Sequence, residues 1–118
     1  MSDNDTANGP TRLRQYRMLF QPVPEGERAV DPEALGLRSK LGGVPDWEQG
    51  AEWPSCPECN EQMVFVGQLD SLEDDSDANP HRRDAVHGDQ HFMFGDVGML
   101  YIFICWNCNE TKTVMQSG

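Results

Sequence analysis

The sequence predicts a small, mostly β fold, an antiparallel sheet behind an irregular N-terminal segment. Three observations point there. Residues 62–69 and 99–105 are rich in apolar and β-preferring side chains, and residues 111–116 alternate in the manner of an edge strand. Gly and Pro punctuate residues 22–54 and leave room for no more than short elements. Hydrophobic residues make up only 37% of 118, so the core is modest and something besides burial must help hold the chain together.

Taken in order, residues 1–11 are small and polar and read as a disordered tail ahead of a single domain spanning 12–118. The apolar residues Leu13, Tyr16, Met18, Leu19 and Phe20 fit neither the helical nor the strand period, and Pro22 and Pro24 end whatever they form. Asp31-Pro32-Glu33 has the form of an N-cap with proline at the first helical position, and Gly36 limits that helix to a turn or two. Residues 41–47, Leu-Gly-Gly-Val-Pro-Asp-Trp, are turn-rich and end on an aromatic anchor; Trp53-Pro54 repeats the pairing. Two packing tryptophans are the simple reading, a ligand-stacking pair the sharper one. Gly42, Gly43, Pro45, Trp47 and Trp53 are expected to wrap one side of the sheet.

The run Met99–Cys105 is nearly all apolar and reads as a central strand buried on both faces. A short strand at 91–94 is expected to join it through the Gly95-Asp96-Val97-Gly98 turn. Between them and residue 70 lies a polar stretch, about 70–90, that reads as a surface insert.

The cysteines carry the chemistry. All four fall in two pairs, Cys56-Pro57-Glu58-Cys59 and Cys105-Trp106-Asn107-Cys108, and each pair is followed by Asn-Glu. A Cys-x-x-Cys turn offers two sulfurs from one tight knuckle, and the residue after it needs a left-handed backbone, which Asn tolerates better than most. Asn60 and Asn109 stand at that position. Four thiolates suit a tetrahedral Zn²⁺, so Cys56, Cys59, Cys105 and Cys108 are the expected ligands of one structural zinc in a zinc-ribbon-like sheet; iron can also take four thiolates. The competing readings are a disulfide framework, for which no export signal is present, and a thioredoxin-like redox pair, which wants its Cys-x-x-Cys opening a helix. A closed four-thiolate site has no open position for substrate, and metal binding should supply folding energy.

Other motifs are weaker. His81, His87 and His91 read as solvated loop histidines sooner than as a second metal site. The run from Asp74 to Asn79 starts like a calcium loop, but Pro80 and Val86 stand where glycine and glutamate are needed. No phosphate loop, nucleophile elbow or His-Glu-x-x-His motif occurs, so the chain is not expected to be an enzyme.

Acidic residues outnumber basic ones 20 to 9, for a net charge of −11. Ten acidic residues and no Lys or Arg lie between Asp46 and Asp77. That surface disfavours nucleic acid and anionic membranes, and it suits either simple solvation or docking of a basic protein. No apolar run of about 20 residues occurs and the N-terminus has no signal-like segment, so a cytoplasmic protein is expected.

Several of these stretches together resemble a known family. Ser39-Lys40-Leu41-Gly42-Gly43-Val44-Pro45-Asp46-Trp47, Trp53-Pro54, Cys56-Pro57-x-Cys59, Gln68-Leu69-Asp70 and Gly95-Asp96-x-Gly98-x-Leu100-Tyr101-x-Phe103-x-Cys105 look like the YwqG-like family, a bacterial domain of unknown function. The Gly-Gly-x-Pro-x-Trp segment and the cysteine pair after it are also similar to the eukaryotic programmed-cell-death-protein-two family. The first resemblance implies a β-rich zinc fold without an established reaction. The second implies a dedicated chaperone for a basic ribosomal protein. The expected function is a non-enzymatic, zinc-stabilised protein-binding or chaperone-like module; the alternatives are a zinc-ribbon nucleic-acid binder and a thiol redox protein.

Overall fold

The computed structural model describes residues 17–34, 36–71, 94 and 98–117. Among them there is no helix. Four strands, β1 (Lys40–Leu41), β2 (Val64–Asp70), β3 (Met99–Cys105) and β4 (Glu110–Gln116), form one open antiparallel sheet in the order β1-β2-β3-β4. The expected tail, the His91–Phe94 strand apart from Phe94, most of its turn, and the polar insert from residue 72 onward lie outside the described residues, as do His81, His87 and His91.

The strands at 62–69 and 111–116 are found with small shifts. Gln62 stands outside β2, in an isolated bridge to Ser55, because the first cysteine turn already occupies that ladder position. A register shift between Phe65 and Gly67 marks a bulge, and the Val66 carbonyl freed there accepts from Gly42 N–H at 2.7 Å. Leu41, expected to open the turn-rich segment, instead pairs with Gly67 and, with Lys40 opposite Gln68, adds a two-residue edge strand. Gly67 has no Cβ for a reason: one would stand 2.7 Å from the Lys40 carbonyl oxygen. Asp31-Pro32-Glu33 caps a single turn and no helix. Glu33 N–H donates to Asp31 Oδ1 at 3.0 Å and Ala34 N–H to Asp31 O at 3.0 Å, after which Gly36, at φ 83°, turns the chain away.

Met99–Cys105 forms a strand at the expected bounds, but its burial departs from expectation. Its burial alternates strictly, with Met99, Tyr101, Phe103 and Cys105 buried and Leu100, Ile102 and Ile104 only half so. The buried side packs with Phe65, Met63 and Cys56 into the core, and Trp47, Cys108 and Val114 close over it. The other side carries Leu41, Val64, Leu69, Ile102 and Met115 by register and has no such cover among the described residues. A continuous apolar run therefore predicted two buried faces where the described residues supply one.

The tryptophans pack as the simple reading expects. Trp47 stacks 6.0 Å from Phe103 and lies 4.7 Å from Tyr101, and Trp53 meets both Trp47 and Phe103 edge-on at 5.9 and 5.6 Å. The segment that carries them, 44–54, has no ladder of its own, so its backbone groups need other partners. Polar side chains on the core face of the sheet provide them. Tyr101 donates to Asp46 O at 2.7 Å and accepts from Glu48 N–H at 3.0 Å. Gln68 accepts from Asp46 N–H at 2.9 Å and donates to Arg38 O at 2.7 Å. Gln116 accepts from Gln49 N–H at 2.9 Å and donates to Gly50 O at 2.8 Å.

A buried ion pair completes the attachment. Asp70 accepts two bonds from the Arg38 guanidinium at 2.8 Å each and two more from Gly36 and Arg38 N–H at 2.7 and 3.0 Å. Arg38 also reaches Glu48, and Lys40 pairs with Asp46 at 2.9 Å. The Asp70 hydrogen bond raises the Arg38 guanidinium above its already high value, with burial opposing. Three of the ten residues in the acidic run, Asp46, Glu48 and Asp70, are thus paired with two cations within the fold. The run is not a single negative face.

Candidate metal centre

Each cysteine pair sits where a strand meets a turn. Cys56 and Cys59 lie in the turn that leads into β2; Cys105 is the last residue of β3, and Cys108 lies in the hairpin to β4. The β2–β3 pairing, Val64 opposite Ile104, lays the two turns side by side.

The turns are built alike. Asn60 N–H donates to Cys56 O at 2.8 Å, and Asn109 N–H donates to Cys105 O at 2.8 Å. Asn60 has φ 64° and Asn109 φ 57°, and no other non-glycine residue described here has a positive φ. That left-handed residue curls the chain so that both sulfurs of a pair face the same way. Around the first turn Cys56 N–H bonds Glu61 O at 2.8 Å, and Glu58 N–H points at Cys56 Sγ at 3.4 Å.

The four Sγ atoms lie within 4.8 Å of one another, with Cys59 and Cys105 at 3.6 Å. A tetrahedral metal with thiolates at ~2.3 Å requires sulfur separations of ~3.8 Å. A disulfide requires ~2.05 Å. All four cysteines are free, and they are the only cluster of metal-ligating side chains among the described residues. The donor set and the spacing therefore fit a metal ion.

The thiols of the cluster differ in how readily they ionise. Burial opposes ionisation of Cys56, but the N–H groups of Cys59 and Glu58 and the neighbouring thiols outweigh it and lower its pKa. Cys59 is raised: the N–H after Glu58's turn, at Glu61, favours its thiolate, but burial and the Cys105 and Cys56 thiols prevail. Burial, then the neighbouring sulfurs, pushes Cys108 up to about 12. Cys59 and Cys108 thus resist ionisation beside Cys56, as expected of thiols packed against one another.

The sequence located all four cysteines and both asparagines. It missed Arg38, Gln68, Tyr101, Asp70 and Gln116, which hold the wrapping segment in place. Their signal was faint: Gln68 and Asp70 stand at alternate positions on an otherwise apolar strand face.

Fold and site together define a small antiparallel β protein with a four-thiol cluster. Residues 39–82 match a family described as a domain of unknown function, DUF1963. The match takes in β1, the first cysteine pair and β2 and stops short of the second pair. The uncharacterized protein YpfL of Salmonella typhimurium is 37% identical over 78 residues, 66% of this chain. The matched stretch is 15% of that relative's length. No solved structure matches. No helix among the described residues is long and apolar enough to cross a membrane.

Proposed function

We propose that Cys56, Cys59, Cys105 and Cys108 hold one structural Zn²⁺, and that the protein is a non-enzymatic binding or chaperone-like module for a basic protein partner. The four-thiol cluster, made by two matching turns with left-handed asparagines, carries the metal part of this reading. A closed set of four thiolates leaves no coordination position for a substrate, which supports a structural role. Resemblance to YwqG-like proteins and, more distantly, to the programmed-cell-death-protein-two family supports the same reading. Glu52, Glu58 and Glu61 are exposed around the first cysteine turn with no cation between them in sequence, which supports a basic partner. The metal would act by joining the turn before β2 to the β3–β4 hairpin, two parts 45 residues apart in sequence.

Elemental analysis of the purified protein, with thiol titration before and after a chelator, tests the metal. One zinc per chain and four thiols protected until chelation is the expected result. Reactive thiols without metal would return the reading to thiol redox chemistry. Affinity capture at low and high salt tests the partner. Basic proteins should be retained at about 50 mM salt and released near 0.5 M, where screening shortens to a few ångströms. Salt-insensitive or acidic partners would contradict the acidic docking surface.

A further inference from the structure

The outer face of the sheet and the first described segment of the chain are both apolar and face a common groove. Met18, Leu19, Phe20 and Val23 form one wall; Leu41 and Ile102 belong to the other. Leu19 is 88% exposed, Phe20 72% and Leu41 55%. The strand residues that point to this face carry no charge, although the whole chain has a net charge of −11. Apolar surface on both walls of one groove of about 1270 Å³ is an unsatisfied arrangement in water.

From this we infer that residues 18–23 are a strap that closes onto the outer face of the sheet. The occupant is this chain's own segment because it already lines the groove and is tethered beside it. The turn in which Glu27 N–H bonds Pro24 O at 3.1 Å fixes one end, and the chain then returns through the Asp31 turn to β1, the strand that borders the face. Reach is sufficient. Six extended residues span about 20 Å, and four strands at ~4.8 Å spacing are about 14 Å wide. Pro22 suits a strap, since it leaves no N–H to satisfy over an apolar surface. Closure removes Leu19, Phe20, Leu41 and Ile102 from water together, and any partner for that face must first displace the strap. The strap does not depend on the metal.

Photocrosslinking of the full chain tests the position of the strap. With benzoylphenylalanine in place of Leu19, the expected product is an intrachain adduct to residues 41 or 100–104, mapped by mass spectrometry. Adducts between chains would assign the face to a second copy and overturn the proposal, as would adducts elsewhere or none. Independently, the L19D/F20D variant should bind a hydrophobic dye ~3-fold more strongly and melt about 5–10 °C lower with no change in oligomeric state. Unchanged dye binding and melting would overturn the strap.

Discussion

Cys56 and Cys105 are the two buried members of the thiol cluster, and substitutions there test what the proposed metal would do for the fold. Cys56→Ser or Cys105→Ser should leave the chain largely unfolded by circular dichroism and metal-free by elemental analysis, because ligand binding and folding are one equilibrium in a thinly cored domain. A folded, metal-free variant with normal melting would contradict that. Asn60 and Asn109 offer a finer test, since their contribution is conformational. Asn60→Gly should be nearly neutral, whereas Asn60→Ala should cost roughly 1–2 kcal/mol through left-handed strain. Chelator competition and melting, measured on both variants, separate backbone strain from loss of a side-chain contact.

At the scale of elements, the open question is why a stretch without secondary structure, residues 44–54, stays on the sheet. Aromatic packing of Trp47 and Trp53 supplies the apolar part. Gln68, Tyr101 and Gln116 satisfy its backbone, each such bond contributing about 1 kcal/mol. The buried Arg38–Asp70 pair ties the residues just ahead of β1 to β2. Arg38→Ala should destabilise the protein by about 3–5 kcal/mol, seen as a lower urea midpoint, because it strands the Asp70 carboxylate in the interior. Arg38→Met together with Asp70→Leu should recover part of that loss. A single variant as stable as the parent would mean that water reaches the pair.

For the whole molecule, pH dependence links the wrapping segment to global stability. Burial pushes the Tyr101 phenol up to about 12 from its ordinary 10.0, a shift that bonding to Glu48 N–H opposes and the Glu48 charge assists. Between those values the folded protein keeps a proton that the unfolded chain releases. Tyr101 therefore stabilises the fold fully below pH 10.0, and that contribution is lost as pH rises through about 12. Urea denaturation of the metal-loaded protein should show this decline, and Tyr101→Phe should flatten it while lowering stability at neutral pH through two lost hydrogen bonds. An equally steep alkaline decline in the variant would place the titration elsewhere.

All three long strands, the hairpin bearing Cys108 and the four clustered cysteines were legible in the sequence. These are local matters: period, turn chemistry and the left-handed position after each cysteine pair are settled within a few residues. The half-buried side of β3 was not legible, because an apolar run records what a strand could bury and not what lies against it. Nor was Lys40–Leu41, whose pairing depends on the bulge at Val66.

By itself the sequence determined two sulfur-bearing turns of one repeated pattern, the β class and a strongly acidic balance. Only the tertiary structure decided which acids are surface charge. Asp70 finds Arg38 across 32 residues and is buried with it, and the Asp46 carboxylate, half-buried, accepts from the Gln68 amide across 22. A carboxylate reads the same in sequence whether water or a guanidinium solvates it, and which of the two it meets depends on contacts that exist only after the chain has folded.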